Sequence, residues 1–354
     1  MMWAKVAMVT GEWPSMAKTF GKAEVSDSLR SRNNDRAPMA QVNHVLTLHQ
    51  PHLKIRVSPS GIHLFNRATG LNVLLDEVRV PPSWWARAPR QVSIALTNAC
   101  DLACNYCFAP KDPAVQDFER VANWLDELDA NGCLGVGFGG GEPTLYPRLA
   151  ELCHYATRHT GLAVTVTTHA HHLDDEFVTA LAGCVHFIRV SMDGVGATYE
   201  ALRGRSFAAF RCRLENVRSL APFGINYVVN SRTLPDLDAA TMLAAQVGAV
   251  EFLLLPELPV GGNGGIDNHT TKALRRWVTR YGGSIPLTVS EAGADGLPFC
   301  NPLVGERDLH AYAYVDASGI LKRFSYDRNG VAIGADGIIQ ALNMLRTRHK
   351  EAKP

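Results

Sequence analysis

The sequence predicts an α/β protein: a partial (β/α)6 barrel, with a small antiparallel β-meander before it and a hairpin-plus-helix extension after it. Three observations carry that reading. Six short β-like runs alternate with amphipathic segments between residues 91 and 260, as βαβ units of a parallel sheet require. Ahead of them, Ile55 and Val57, Ile62 and Leu64, and Leu71, Val73 and Leu75 alternate with other residues in three runs separated by the turn signals "SPSG" and "NRATG". After residue 290 the alternation stops and "AYAYVDASGILKRF" reads as a hairpin, with a helix around "IIQALNML".

Taken in order, residues 1–38 show no hydrophobic period, and "SRNNDRAP" is polar and rich in breakers. They read as a disordered leader, or as an over-extended start with Met39 as the true beginning. Residues 39–90 form a small β-rich region closed by the linker "PPSWWARAP". Residues 91–290 form the core. Its strands are expected at 92–96, 134–138, 163–167, 186–191, 225–230 and 250–255. Between them "FERVANWLDELDA" (118–130) and "TYEALRG…FRCRLENVRSL" have the helical period. Six units in this span fit an open barrel, and a doubly wound sheet is the alternative that periodicity leaves standing. Residues 291–354 form the extension.

Composition bounds the partners. Thirty-five basic and 34 acidic residues leave a net charge of +1, so no field steers nucleic acid or an anionic membrane. No apolar run reaches the ~20 residues that span a bilayer. The eight cysteines are spread too thinly for a disulfide framework, which favours a reducing cytoplasm. In that compartment a tight cysteine cluster points to metal or catalysis.

Such a cluster exists. "CDLACNYC" places Cys100, Cys104 and Cys107 in the loop after the first core strand. "GGGEP" (139–143) follows the second strand, "SMDG" (191–194) ends the fourth and Asn230 ends the fifth. In parallel α/β folds ligands bind at the carboxyl ends of strands, so these stretches share one rim. A structural zinc site takes four ligands, and the remaining cysteines fall mostly within expected strands and helices. Three cysteines on an iron–sulfur cube would leave one iron open to a ligand.

The spacing CxxxCxxC after the first strand, with "GGEP" and "SMDG" in order behind it, resembles the radical S-adenosylmethionine (SAM) enzymes over about residues 91–260. The resemblance implies that Cys100, Cys104 and Cys107 hold one [4Fe–4S] cluster whose fourth iron is chelated by SAM. It implies further SAM contacts from Tyr106, Gly140, Gly141, Glu142, Pro143, Thr168, Ser191, Asp193 and Asn230. After the third strand many relatives carry Thr-Asn-Gly, whereas this chain has Thr168, His169 and Ala170. The neighbouring "HAHH" is read as loop rather than as a metal site.

The extension resembles the SPASM extension of radical SAM peptide maturases, but it lacks that extension's cluster cysteines. Only Cys300 remains, and Phe324 stands where a hairpin cysteine would be. Cys300 is expected to be a small buried hydrophobe or, more sharply, a hydrogen-atom donor to a substrate radical. The implied reaction is reductive SAM cleavage and hydrogen abstraction from a substrate. A ribosomally made peptide leads as that substrate, with a small metabolite or cofactor precursor second. A flavodoxin- or ferredoxin-type protein would supply the electron. A non-catalytic iron–sulfur carrier is the reading from a different class; it would need neither an open iron nor a ligand rim.

Overall fold

The computed structural model describes residues 6–7, 53–260, 264–290, 293–299, 303 and 305–351. The expected leader, Val6 and Ala7 apart, lies outside the described residues, as does Cys300.

The first strand, β1 (Val6–Ala7), precedes the meander of β2 (Leu53–Ser58), β3 (Gly61–Asn66) and β4 (Asn72–Leu75). The meander alternates as its sequence does, and β3 buries every second residue. Gly61 makes its first turn possible. Its φ of +118° suits glycine, and a Cβ there would lie 2.2 Å from the Leu75 carbonyl oxygen.

The core then runs β5 (Gln91–Thr97), α1 (Phe118–Ala130), β6 (Gly135–Gly140), α2 (Leu149–His159), β7 (Ala163–Thr168), α3 (Asp175–Leu181) and β8 (Phe187–Ser191). It continues through α4 (Ala197–Arg203), α5 (Phe207–Leu220), β9 (Phe223–Val229), α6 (Leu237–Gln246), β10 (Glu251–Pro256), α7 (Asn268–Arg280) and β11 (Leu287–Val289). The chain ends in β12 (Tyr312–Val315), β13 (Ile320–Lys322), β14 (Val331–Ala332) and α8 (Gly337–Glu351). Local signals explain the helix starts. Asp117, Asp174, Ser206 and Asp267 each accept a backbone N–H of the first turn. α1 turns Val121, Trp124, Leu125 and Leu128 inward, the i, i+3, i+4, i+7 stripe of its sequence.

All six expected strands are present, and they pair in parallel in the order β10-β9-β8-β7-β6-β5. Two more parallel strands flank them: β11 joins β10, and β12 joins β5. The expected hairpin therefore continues the main sheet, Tyr312 and Tyr314 standing opposite Gln91 and Ser93. β1 adds antiparallel to β11 at one edge, with β13 and β14 antiparallel at the other. The sheet curls, since residues of both β11 and β12 line one central cavity.

The meander closes the amino-terminal end of this curl. Phe65 is fully buried against Leu134, Ala163 and Phe187. Arg56 locks it in place. Its Nε donates to Glu306 at 3.0 Å, and its terminal nitrogens donate to the carbonyls of Ala88, Gly132 and His310. Arg90, at the foot of β5, reaches the other oxygen of Glu306 at 3.0 Å. Meander, barrel and extension thus meet at one buried carboxylate.

Candidate active site

The cysteine loop leaves β5 at the carboxyl end of the sheet and is stapled to the glycine turn after β6. Gly141 N–H donates to the Thr97 carbonyl at 2.7 Å, and Glu142 N–H donates to that of Ala99 at 2.8 Å. Only glycine allows this approach: a Cβ on Gly140, whose φ is +140°, would lie 2.2 Å from the Thr97 carbonyl oxygen, and one on Gly141 2.3 Å from that of Ala99. Within the loop Cys107 N–H donates to the Cys104 carbonyl, and Leu102 N–H to the Cys100 sulfur at 3.4 Å. Cys100, Cys104 and Cys107 are half-buried free thiols that line one cavity of about 550 Å³.

The same cavity gathers most of the expected SAM contacts: Tyr106, Gly140, Gly141, Glu142, Thr168, Ser191 and Asp193. Pro143 starts the short turn behind Glu142 and does not line it. Asn230 lies in a neighbouring cavity of about 480 Å³, where its Nδ2 donates to Glu257 at 2.7 Å; Tyr106 lines both spaces.

Two carboxylates organise the rim. Glu142, 1% exposed, accepts from Thr144 N–H (3.1 Å), Thr144 Oγ1 (2.7 Å), Thr168 Oγ1 (2.6 Å) and His169 N–H (3.0 Å). Asp193 accepts from the Tyr106 hydroxyl (2.7 Å) and the Val228 N–H (2.7 Å), and it pairs with Arg203. Both oxygens of each are thus engaged by the protein, so these side chains act first as braces for the backbone around them. Burial, then the Asp193 carboxylate, pushes the Tyr106 phenol far up, so it stays a donor.

Sequence reasoning missed part of this rim. His169, read as loop, is buried just after β7 and bridges to Asp101 Oδ1 at 2.8 Å. Asp101 is also held by Arg205 at 2.6 Å, and burial is outweighed there by His169 and His172, which hold its carboxyl down at about 2. Position on the rim was the available signal for His169; nothing in "LRGRS" marks Arg203 or Arg205. Ala170 adopts φ +67°, the left-handed conformation that a glycine at this place takes without strain.

The donor set fits a cluster. Three thiols on one short loop share a cavity, none is in a disulfide, and burial pushes the Cys100 thiol up. A bound cationic centre reverses that penalty by holding the sulfur as thiolate. Cys100, Asp101 and His169 also bring ligand atoms within 4.8 Å of one another, but Asp101 and His169 are already spent on each other.

On the extension side, Phe108 next to Cys107 meets the rings of Tyr326 at 4.9 Å and Tyr314 at 6.2 Å. Phe324 lines the cavity with them. Burial, then Cys107, pushes the Tyr326 phenol up to about 12.

Residues 94–240 match the radical SAM superfamily. Over 187 residues the chain is 32% identical to the mycofactocin maturase MftC of Mycobacterium tuberculosis, covering 50% of this chain and 46% of that protein. Over 184 residues it is 32% identical to an AdoMet-dependent heme synthase of Methanosarcina barkeri, covering 49% and 52%. The chain thus spans about half the length of the curated relatives it matches. Among solved structures it resembles Streptococcus suis SuiB bound to the precursor peptide SuiA, with a TM-score of 0.61 at 13% identity over 79% of this chain and 84% of that one. That likeness shows the fold.

Proposed function

We propose that this chain, a member of the radical SAM superfamily through residues 94–240, is an enzyme that cleaves SAM reductively and abstracts hydrogen from a ribosomally made peptide. The observation that carries the reaction class is the single cavity shared by Cys100, Cys104, Cys107 and the glycine turn of Gly140 and Gly141. The three thiols would hold one [4Fe–4S] cluster. When bound, cluster and SAM together supply the electron and the 5′-deoxyadenosyl radical.

The chain's own residues do the rest. Gly140 and Gly141 keep backbone close to the cysteine loop, and Glu142 fixes the turn through Thr144, Thr168 and the His169 N–H. Tyr106, held by Asp193, and Ser191 offer a ring and hydroxyl groups to the nucleoside. The eight parallel strands, the meander under them and the aromatic cluster of Phe108, Tyr314 and Tyr326 keep water from the interior. Pro143 and Asn230 are proposed as the outer ends of the SAM site.

The peptide class draws support from the maturase similarity and from the SuiB-like fold, whose counterpart was solved with a precursor peptide. The heme synthase similarity favours a second reading, a small cofactor precursor. The electron donor is proposed to be of flavodoxin or ferredoxin type. No helix among the described residues is long and apolar enough to cross a membrane, and we place the protein in the cytoplasm without a nucleic-acid partner. Residues 39–90, 91–290 and 291–354 are proposed as its working units, the last a SPASM-like piece without a cluster.

Co-expression with short peptides encoded beside its gene tests the substrate class by mass spectrometry. A mass change in one peptide, lost when Cys100, Cys104 and Cys107 become Ala, is the expected result. Unmodified peptides alongside a consumed tetrapyrrole precursor would reverse the choice of substrate.

A further inference from the structure

Parallel barrels normally fill their interior with branched apolar side chains, whereas here residues such as Leu253 and Val289 share the cavity wall with a set of polar side chains. Below the rim, Gln91, Ser93, Thr165, Arg189 and Asn226 line the cavity. The register sets Ser93, Gly137 and Thr165 side by side across β5, β6 and β7. It sets Thr167, Arg189, Gly224 and Glu251 side by side across β7 to β10. Gly137 leaves the space open, since a Cβ there would lie 3.3 Å from Ser93 Oγ. Phe187 and Phe65 seal the bottom, with the Arg189 guanidinium 5.3 Å from the Phe187 ring centre.

The charges in this layer cancel. Arg189 pairs with Glu251 at 2.6 Å and donates to Asn226 Oδ1 at 3.3 Å. Thr165 is 3% exposed, and its hydroxyl has no hydrogen-bond partner. A buried ion pair is costly to desolvate, and a buried hydroxyl left unpaired is costly too, so the layer is poorly explained as packing. A substrate carboxylate would meet Glu251, and an ammonium would meet Arg189, each with its counter-charge already taken. An apolar tip would leave Thr165 unpaired.

We infer that this layer receives a neutral hydrogen-bonding tip, an amide or a hydroxyl, on the substrate residue whose C–H bond faces the cysteine loop. The inference rests on the peptide reading above and names the class of residue acted on. The body of such a side chain lies between Leu253 and Val289 on one side and Tyr312 and Tyr314 on the other.

The test uses the reconstituted, SAM-loaded protein and N-acetylated, C-amidated tripeptides Gly-Xaa-Gly, with Xaa Gln, Tyr, Glu, Lys or Leu. Binding is read by calorimetry, and 5′-deoxyadenosine is read in parallel after dithionite. The Gln or Tyr peptide is expected to bind at least tenfold tighter than the Glu, Lys and Leu peptides, about 1.4 kcal/mol, the scale of two neutral hydrogen bonds. Thr165→Val, which keeps shape, and Asn226→Leu should each shrink that gap to within threefold while holding the Leu peptide within twofold. Two results overturn the inference while leaving the peptide reading in place: charged or apolar peptides binding as tightly, or a gap that persists in both variants. No peptide binding by protein that still cleaves SAM overturns the peptide reading and the inference with it. Absence of 5′-deoxyadenosine would instead count against the reaction class, and the order of peptide affinities would still judge the layer.

Discussion

Glu142, expected from the sequence to contact SAM, lines the cavity and also braces the turn that carries it. Its carboxylate is buried and accepts four hydrogen bonds from the protein, so removing it strands four donors in a dry rim. Glu142→Ala should lower unfolding stability by about 2–3 kcal/mol, since a buried unpaired polar group costs ~1–3 kcal/mol and part of the turn can relax. SAM affinity should fall with it, because the Gly140–Gly141 backbone is held by the same turn. Urea unfolding and equilibrium binding check the two effects, and unchanged stability would remove the brace. The cysteines carry a separate expectation. Reconstituted protein should hold roughly four irons per chain, all lost when Cys100, Cys104 and Cys107 are changed to Ala. A second cluster on the extension would raise the count to about eight. Cys300, outside the described residues, keeps its two expected roles.

At the scale of elements, the meander and the barrel are joined by charge as well as by Phe65. Glu306 is fully buried between Arg56 and Arg90; burial raises its pKa, the two guanidinium groups lower it further, and the net shift is downward. A depressed carboxyl contributes stability above its usual value of 4.5 and loses it as pH falls below that point. His63, on the adjacent strand, is held neutral by burial, its pKa lowered from 6.5 to about 4. The unfolded chain therefore takes up a proton there that the folded one refuses, so stability also falls as pH drops from 6.5 toward 4. His63→Gln should flatten that limb relative to the unmutated protein in urea midpoints measured between pH 7 and 4.5. A parallel fall in both would assign the acid sensitivity elsewhere. Glu306→Ala should cost about 3–5 kcal/mol, as losing one partner of a buried charge cluster does, and should loosen meander and extension together.

The whole molecule was partly legible from its sequence, and the reasons differ by region. Periodicity located the six central strands within a few residues, because buried parallel strands are short apolar runs between amphipathic helices. It missed β11, three residues long, and it read β12 as half of a separate hairpin although its other edge pairs with β5. Pairing between residues over two hundred positions apart leaves no local mark. The rim was legible where chemistry is written in residue type and spacing, as with Cys100, Cys104, Cys107, Gly140 and Gly141. It was illegible where the function of a side chain depends on a partner elsewhere, as with Arg203 on Asp193 and His169 on Asp101. Within β5, β7, β8 and β9 the polar inward residues Ser93, Thr165, Arg189 and Asn226 were visible, yet apolar period-counting passes over them.

One measurement bears most directly on the account. Reconstituted protein, kept free of oxygen and given SAM and dithionite, is assayed by chromatography for 5′-deoxyadenosine and methionine. Both products are expected in equal amounts, and neither from the variant in which Cys100, Cys104 and Cys107 are Ala. A cluster-loaded protein that binds SAM but releases no 5′-deoxyadenosine, with or without substrate, would contradict it and leave an iron–sulfur carrier in its place.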